Sequence, residues 1–236
     1  MLVDFHTHIL PGVDDGSSSL ECSRQMLFML KRQGVSHAVL TPHFYASYDA
    51  PERFFQRRQA AYEKLTEAMS PDFPQVLLGA EVHFFEGISD CDVLDRLAIG
   101  DTGHILIEMP GVPWTERMMR ELTELKSRHG LTPIIAHVDR YMSPLRSHGI
   151  PEMLSQVPAL VQVNTNAFLR TSTRRMALRL LKEGTAHLLG TDCHNIVSRR
   201  PDMEKALKVI ERSLGAEALE QIRLQSQAVL GINEKS

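Results

Sequence analysis

Several features that define common classes of proteins are missing from this sequence of 236 residues. No apolar run approaches the roughly 18 residues of a membrane-spanning helix, so membrane insertion is not expected. Basic residues number 26 against 29 acidic ones, which leaves no positive excess for binding nucleic acid. The opening MLVD is neither basic nor followed by a long apolar stretch, which argues against a secretory signal at this end.

Cysteine is scarce as well. Cys22, Cys91 and Cys193 are far apart, odd in number and form no CxxC pair. This pattern is typical of a protein kept reduced in the cytoplasm and not of one built on disulfide bonds. We therefore expect a cytoplasmic protein, and the sequence leaves its oligomeric state open.

Short apolar runs alternate with amphipathic helical stretches along the chain. The helical stretches are 17–34, 51–69, 114–130, 173–184 and 202–215. The apolar runs, which we interpret as strands, are 2–5, 38–41, 76–80, 105–107, 133–136, 160–163 and 187–190. Strands that alternate with helices indicate a parallel sheet with right-handed crossovers. The sequence therefore predicts an α/β fold, a seven-stranded (β/α) barrel formed by a single domain over residues 1–236.

Side chains that can bind metal ions stand at the ends of six of these seven strands. They are His6 and His8 after the first strand, His43 after the second, Glu81 after the third, Glu108 after the fourth, His137 after the fifth, and Asp192 and His194 after the seventh. The sixth strand ends at Asn164 instead. Because the carboxyl ends of the strands meet at one face of a parallel barrel, we expect the metal-binding side chains to form one site there.

The spacing within two of these segments strengthens the interpretation. Alternate residues of a strand point the same way, so His6 and His8 can share one ion, as can Asp192 and His194. The same alternation predicts that Cys193 points away from the ions.

Other histidines provide an internal comparison. His37, His104 and His187 precede strands, so we expect them at the opposite face in structural roles. His129 closes a helix, where a positive charge suits the helix dipole, and His148 is expected in a loop.

Asp15 in the segment HTHILPGVDDG brings the number of candidate ligands to nine. One ion takes about four to six ligands, so this number suits two or three ions bridged by carboxylates. Imidazole and carboxylate ligands without a required thiolate suit manganese, iron or zinc better than a structural cysteine site would.

Clustered divalent ions favour the hydrolysis of phosphate esters. They lower the pKa of a bound water, which gives a hydroxide nucleophile, and they clamp the oxygens of a phosphoryl group. Arg140, Arg199 and Arg200 follow strand ends and are candidate catalytic residues, because a guanidinium binds phosphate through two hydrogen bonds. Which of Arg199 and Arg200 contacts phosphate is left open, since both alternatively cap a loop before Pro201.

Aromatic residues also lie near the strand ends. They are Tyr45, Tyr48, Trp114 and Tyr141. Stacking on an aromatic substrate and packing within the fold are equally compatible with each position.

A different phosphatase mechanism is suggested by the spacing from Cys193 to Arg199. This segment, CHNIVSR, has the C-x5-R pattern of tyrosine phosphatases in which a thiolate attacks phosphorus. Such a loop normally needs glycine so that its backbone can approach the phosphate, and none is present. We therefore interpret the match as accidental.

The ordered segments HTH…DDG, TPH, GAE, IEMP, IIAHVDRY and GTDCHN…RRP resemble the polymerase-and-histidinol-phosphatase (PHP) superfamily. Within it they resemble the bacterial manganese-dependent protein-tyrosine phosphatases of capsule and exopolysaccharide clusters. The resemblance runs from His6 to Pro201 and implies a distorted seven-stranded barrel with three metal ions. It implies His6, His8, Glu81 and Asp192 around the first ion, Glu81, Glu108 and His137 around the second, and Asp15, His43 and His194 around the third.

The resemblance also implies the activity. The expected enzyme is a metal-dependent phosphomonoesterase that acts on a phosphotyrosine protein, namely an autophosphorylating tyrosine kinase. The sequence departs from the close family at His83, Val138 and Asp139, where arginine, proline and glutamate are common; the ligands are intact, and the changes leave substrate choice open.

Three other functions are compatible with parts of the sequence pattern. One is a different PHP phosphoesterase such as a histidinol-phosphate phosphatase, and another is a non-catalytic, metal-stabilised regulator of polysaccharide assembly. An amidohydrolase also begins with HxH, but it usually has a lysine where this chain has Glu108.

Overall fold

The computed structural model of the chain describes residues 1–142 and 149–232, and His148 lies outside them. The strands are β1 (Val3–Thr7), β2 (His37–Leu40), β3 (His43–Phe44), β4 (Gln75–Leu78), β5 (Glu81–His83), β6 (His104–Glu108), β7 (Thr132–Ile135), β8 (Leu160–Asn164) and β9 (Leu188–Gly190). The helices are α1 (Leu20–Arg32), α2 (Pro51–Glu67), α3 (Glu116–His129), α4 (Ile150–Leu154), α5 (Thr165–Leu169), α6 (Thr171–Lys182), α7 (Met203–Leu214) and α8 (Ala216–Leu230). Short 3-10 turns cover Ile88–Asp90, Leu94–Leu97 and Val138–Arg140.

The strands form two parallel sheets. One has the order β1-β2-β4 and the other the order β3-β5-β6-β7-β8-β9. The predicted second and third strands are each divided, the second at Thr41 and Pro42 and the third at Gly79 and Ala80. Proline cannot donate a hydrogen bond to the ladder, which explains the first interruption. The α/β class is thus confirmed, whereas the count of seven strands is not, because nine strands are present in the described residues.

The five predicted helices are found as α1, α2, α3, α6 and α7. Ser19 caps α1 by accepting a hydrogen bond from the backbone of Cys22 (3.2 Å), and Thr115 caps α3 in the same way. Gly130 ends α3 with φ of 70°, a conformation that glycine adopts without strain. Sequence patterns missed α4, α5 and α8. None of the helices in the described ranges is long and apolar enough to cross a membrane.

Apolar side chains form two clusters. The larger lies between the sheets and the helices. The smaller combines inward-facing residues of both sheets, such as Phe5 of β1, Val39 of β2 and Ile134 of β7, with Val229 of α8. Because residues of a strand alternate between its two faces, one set packs inside and the other packs under the helices.

The first and last strands are joined by backbone and side-chain hydrogen bonds. The backbone of His8 donates to Cys193 (2.9 Å), and that of Asp192 donates to His6 (2.8 Å). Deeper in the fold, the Asp4 carboxylate accepts from the backbone of Thr191 (2.8 Å) and from its hydroxyl (2.6 Å). Asp4 is fully buried, and burial raises the pKa of its carboxyl to about 7.

Replacing Asp4 tests this junction. Asp4→Ala leaves the buried amide of Thr191 without an acceptor, and we expect a loss of about 2 kcal/mol in the free energy of unfolding. Asp4→Asn is the matched control, because its amide oxygen still accepts from Thr191 and its neutral side chain resembles the protonated acid. Denaturant unfolding of the metal-free protein measures both variants. An Asp4→Ala variant as stable as the unmodified chain would show that this contact does not join the strands.

Candidate metal centre

All nine candidate ligands come together at the carboxyl ends of the strands. They lie in β1 (His6), directly after it (His8), in the following loop (Asp15), at the first residues of β3 and β5 (His43 and Glu81), at the last residue of β6 (Glu108), and after β7 (His137) and β9 (Asp192 and His194). Because β3 and β5 begin after these breaks, His43 and Glu81 lie at the carboxyl ends of the sheets.

Glu81 lies at the centre of the cluster and is only 1% exposed. Its Oε2 atom is 3.1 Å from His6 Nε2, 3.3 Å from His8 Nε2 and 2.9 Å from His43 Nδ1. Its Oε1 atom is 2.8 Å from His137 Nε2. One carboxylate therefore faces four imidazoles, which is the position of a bridging ligand.

Asp192 occupies a similar position beside the first histidine pair. Its Oδ1 atom is 3.7 Å from His6 Nε2 and 3.4 Å from His8 Nε2. The ring of His194 approaches the same oxygen at 3.6 Å through Nδ1. The last strand thus supplies both a carboxylate and an imidazole to the cluster.

The two remaining carboxylates lie at opposite sides of the cluster. Asp15 Oδ1 is 3.6 Å from His43 Nε2 and 3.4 Å from His194 Nε2, and its side chain is 67% exposed. Glu108 Oε1 is 3.5 Å from His137 Nε2. Both carboxylates face ring nitrogens at distances that leave room for an ion between them.

Three groups of ligand atoms in the described residues lie within 4.8 Å of one another. They are His6, His8 and Glu81, then His8, Asp15, His43 and His194, and finally His43, Glu81 and Glu108. The first two resemble the expected first and third sets, with His8 added to the third. The last contains Glu81 and Glu108 of the expected second set together with His43, and the third expected member, His137, lies 2.8 Å from Glu81 and 3.5 Å from Glu108 through Nε2.

Buried polar atoms without a hydrogen-bond partner are concentrated here. They include Glu81 Oε2, His43 Nδ1 and His194 Nε2. An unsatisfied buried polar group costs roughly 1–3 kcal/mol, so such atoms need another partner. Oxygen and nitrogen donors converging on shared points suit divalent cations, and the residues therefore fit a cluster of such ions.

Burial and neighbouring charges shift the pKa values of the cluster in opposite directions. Burial alone would raise the pKa of Glu81, but the surrounding imidazoles hold that pKa well below its usual range. Burial alone would lower the pKa of His6, but the carboxylates of Glu81 and Asp192 raise it instead. The carboxylate of Glu81 is therefore ionised at neutral pH, as a metal ligand must be.

Asp14, the neighbour of Asp15, supports the cluster from outside. Its Oδ2 atom accepts from His8 Nδ1 (2.6 Å) and from the backbone of His43 (3.1 Å), and its Oδ1 atom accepts from the backbone of Gly16 (2.9 Å). With Nδ1 engaged in this way, His8 directs Nε2 toward Glu81.

The sixth predicted strand, now β8, has a role that sequence reasoning missed. Gln162 Oε1 accepts from the backbone of His137 (2.7 Å) and lies 3.3 Å from His6 Nδ1. The amide nitrogen of Gln162 donates to Asn164 (2.9 Å), which donates in turn to Asp192 (3.0 Å). The strand without a ligand thus connects ligands from three other strands. Its only sequence signal is the two polar residues in the apolar run LVQVN.

Two candidate ligands have strained backbones. His137 (φ of 34°) and Asp192 (φ of 52°) are the non-glycine residues with positive φ in the described chain. This conformation costs roughly 1–3 kcal/mol and persists where surrounding contacts impose it, commonly at functional sites.

The candidate catalytic arginines surround Asp192. Arg140 Nη2 contacts Asp192 Oδ2, and Arg199 Nη2 lies 2.9 Å from Asp192 Oδ1. Both side chains remain about two-fifths exposed, so part of each guanidinium faces solvent. Arg200 makes no ion pair within the described ranges but lines the same cavity of about 400 Å³ beside Asp192.

The aromatic residues divide into two pairs. Trp114 and Tyr141 are buried, with ring centres 5.2 Å apart, and the Tyr141 hydroxyl donates to a backbone carbonyl, so they pack within the fold. Tyr45 lies 5.3 Å from the His43 ring, and its neighbour Tyr48 is 88% exposed. Only this second pair is open to a ligand.

Two of the residues that depart from the family pattern, His83 and Asp139, form polar contacts in or near the cluster. His83 Nδ1 lies 3.1 Å from Glu108 Oε2, at the edge of the cluster. Asp139 accepts from the backbone of Asn164 (2.9 Å), and the third position, Val138, is fully buried.

His37, His104 and the thiol of Cys193 lie outside the cluster of candidate ligands. His37 pairs with Ser36, and His104 with the carbonyl of Thr102, as expected for structural residues at strand starts. Cys193 is fully buried in the apolar core, and burial raises the pKa of its thiol well above the usual value. A neutral thiol turned into the core cannot act as the nucleophile of a C-x5-R loop.

Comparison with known proteins decides the family. The model of the capsular polysaccharide synthesis proteins CpsB/CapC matches residues 2–230. The chain belongs to the CpsB/CapC family. The resemblance to bacterial phosphatases of capsule clusters is thereby confirmed.

Relatives and solved structures agree with this assignment. The tyrosine-protein phosphatase YwqE of Bacillus subtilis is 30% identical over 92% of this chain and 86% of its own length. The tyrosine-protein phosphatase CpsB of Streptococcus agalactiae serotype III is 25% identical over 97% and 98%. A chain from the crystal structures of YwqE and of CpsB from Streptococcus pneumoniae, described as unique metal-dependent tyrosine phosphatases, superposes with a TM-score of 0.83. It is 23% identical, with 98% of this chain and 96% of that chain covered, so the match shows a shared fold.

A more distant structure has a related architecture. A variant of the organophosphorus hydrolase from Deinococcus radiodurans superposes with a TM-score of 0.57 at 15% identity, over 97% of this chain and 92% of that one. This likeness concerns the fold alone.

Gly190 offers a test of how closely the cluster is packed. A Cβ atom at this position would lie 2.6 Å from His6 Cβ and 2.7 Å from Gln162 Nε2. Gly190→Ala should therefore displace His6 and lower the free energy of unfolding by roughly 1–3 kcal/mol.

Gly111→Ala is the matched control, because no atom lies within 4 Å of its added Cβ. Thermal unfolding and metal content by elemental analysis are measured for both variants. Equal stability and equal metal content in the two variants would contradict the close packing of Gly190 against His6.

Proposed function

We propose that this CpsB/CapC protein is a metal-dependent protein-tyrosine phosphatase of capsule or exopolysaccharide synthesis. The observation that carries the proposal is the buried carboxylate of Glu81 facing four imidazoles, with two arginines on the open side of the cluster. The printed names of the relatives agree with it. The protein acts on a phosphotyrosine protein, most simply an autophosphorylating tyrosine kinase.

The metal-binding part of the proposal uses all nine candidate ligands. They are His6, His8, Asp15, His43, Glu81, Glu108, His137, Asp192 and His194. They hold two or three divalent ions, with manganese favoured and iron or zinc as alternatives. Such ions supply positive charge that lowers the pKa of a water molecule and neutralises phosphoryl oxygens.

The arginines bind and orient the phosphate. Arg140 and Arg199 contact Asp192, remain partly exposed and line the cavity beside it. A guanidinium donates two parallel hydrogen bonds to a phosphoryl group and thereby fixes its orientation. Arg200, which has no carboxylate partner in the described chain, is the third candidate contact.

The aromatic ring of the substrate has a place in a second cavity beside the cluster. Tyr45 and His43 line a cavity of about 370 Å³ together with Asp15. Tyr48 packs against Tyr45 with ring centres 6.3 Å apart. These exposed rings are suited to contact a phosphotyrosine ring.

A distorted seven-stranded barrel of the PHP type, formed by a single domain over residues 1–236, is also part of the proposal. The pairing of β2 with β4 and of β3 with β5 supports it, because the divided strands stay neighbours along their whole length. The bridge between Thr7 and Cys193 supports closure between β1 and β9.

The other functions receive less support. The relatives are named tyrosine phosphatases, which does not favour a histidinol-phosphate phosphatase. A non-catalytic regulator would not need a complete ligand cluster with arginines beside it. The free thiols of Cys22, Cys91 and Cys193 support a cytoplasmic location.

The decisive experiment combines metal removal with a choice of substrates. The purified protein should hydrolyse p-nitrophenyl phosphate and a phosphotyrosine peptide, lose both activities on chelation, and regain them with Mn²⁺. Elemental analysis should give two or three ions per chain. Cys193→Ser should keep most of the activity, because the buried thiol takes no part in the reaction.

Several outcomes would contradict this proposal. One is activity that survives complete metal removal, and another is hydrolysis of histidinol phosphate or phosphoserine peptides in preference to phosphotyrosine. A trapped phosphocysteine, with turnover lost in Cys193→Ser at unchanged metal content, would replace the mechanism altogether.

Arg140 allows a separate test of phosphate binding. Removing a bidentate charged contact in Arg140→Ala should cost on the order of 2–4 kcal/mol of transition-state stabilisation, or roughly 30- to 1,000-fold in kcat/KM. Arg212→Ala, on the exposed face of α7, is the control for loss of a positive charge. A kcat/KM near that of the unmodified protein would return Arg140 to a structural role.

A further inference from the structure

The cavity beside Asp192 extends beyond the residues assigned to the metal ions and the phosphate. It has a volume of about 400 Å³, within the range of roughly 300–1,000 Å³ typical of small-ligand pockets. One wall is formed by Asp192 and the arginines that contact it. The other wall comes from the start of α6 and from α7, through Arg170 and Lys205.

The lining of this cavity has more positive than negative side chains, although the protein has a net charge of −3. Its cations are Arg140, Arg170, Arg199, Arg200 and Lys205, and its carboxylates are Asp139, Asp192 and Asp202. Five positive groups thus stand against three negative ones. The excess is local, because the chain as a whole has more acidic than basic residues.

No carboxylate of the cavity forms an ion pair with the outer cations, although the charge of Asp202 offsets those of Arg200 and Lys205 in part. Asp192 is engaged by Arg140 and Arg199. Asp139 accepts from the backbone of Asn164 (2.9 Å), and Asp202 accepts from the hydroxyl of Thr165. No ion pair within 4 Å involves Arg170, Arg200 or Lys205 in residues 1–142 and 149–232.

Unpaired cations that line one concave surface repel one another, and an anion placed among them relieves that repulsion. The metal cluster and Arg140 already account for the phosphoryl group that is hydrolysed. Arg170 and Lys205 lie on the far wall and are left without a partner in that reaction. A second anionic group on the same substrate would supply one.

We propose that this outer wall, formed by Arg170 and Lys205, binds a second anionic group of the phosphotyrosine substrate. The group is a carboxylate or a phosphate on a residue close to the phosphotyrosine in the peptide. The inference rests on the proposed phosphatase activity and adds substrate choice to it. The protein then prefers acidic or multiply phosphorylated segments over neutral ones.

The contact affects binding more than chemistry. A charge held equally in the ground state and the transition state changes KM and leaves kcat nearly constant. Exposed ion pairs are individually weak, and two or three together correspond to a preference of about five- to twentyfold in kcat/KM. Because these pairs are exposed to solvent, added salt should reduce the preference.

The test compares matched phosphotyrosine peptides. One has neutral flanking residues, a second has aspartate on either side, and a third has a second phosphotyrosine. The unmodified protein should prefer the second or third peptide through a lower KM. The double variant Arg170→Gln/Lys205→Gln should lose most of this preference while its activity on p-nitrophenyl phosphate stays unchanged. The double variant Arg24→Gln/Lys64→Gln, with the same change in charge on exposed faces of α1 and α2, should keep the preference.

The peptides also separate the two sources of charge. A preference restricted to the doubly phosphorylated peptide assigns the wall to phosphate, and one restricted to the aspartate peptide assigns it to carboxylate. Equal kcat/KM for all three peptides, in a protein active on each, would overturn the inference and leave the phosphatase proposal intact. An equal loss on p-nitrophenyl phosphate in the Arg170/Lys205 variant would overturn it too, because those residues would then act at the reaction centre. Absence of activity on every phosphotyrosine substrate, with metal restored, would contradict the proposed function itself.

Discussion

The burial of one carboxylate, Glu81, is the constraint on which the rest of the structure depends. An ionised carboxylate removed from water is very costly unless charged or hydrogen-bonding partners replace its hydration. Here the partners are imidazoles from several strands, so the strands must end at the same level. The interruption before β5 and the strained backbones of His137 and Asp192 are local departures that bring these groups together. The conformational cost of these strained backbones is offset by the attraction between the carboxylates and the imidazoles of the cluster.

A second layer of polar groups keeps the imidazoles in one orientation. Asp14 engages one nitrogen of His8, and Gln162 lies beside one nitrogen of His6. In both rings the opposite nitrogen is then directed at Glu81 and Asp192. Amide and carboxylate acceptors of this kind fix the tautomer of a ligand before any ion arrives. The cluster is therefore preorganised by residues that do not themselves belong to it.

Much of the fold and of the cluster was predictable from the sequence, because both depend on local patterns. Alternating apolar runs and helices predicted the parallel architecture, and the residue at each strand end predicted which side chains meet. The division of the strands into two sheets was not predictable, since Gly79 and Ala80 carry no strong signal and the break depends on neighbouring strands. The role of Gln162 was missed for the same reason, because its partners lie 25 and 156 residues away in the chain. The family resemblance predicted His137 with Glu81 and Glu108 around the second ion, and its Nε2 atom lies 2.8 Å and 3.5 Å from those carboxylates, with His43 also close to both.

The contacts between β1 and β9 determine when the cluster is completed during synthesis and folding. Asp4 and Thr191 are 187 positions apart, so the histidines made first by the ribosome acquire Asp192 only after most of the chain has been synthesised. Contacts between residues so far apart in the sequence form late in folding, because the entropic cost of closing a large loop must be met before they can stabilise the chain. During synthesis the HxH segment therefore lacks the other candidate ligands, and the final strand completes the cluster.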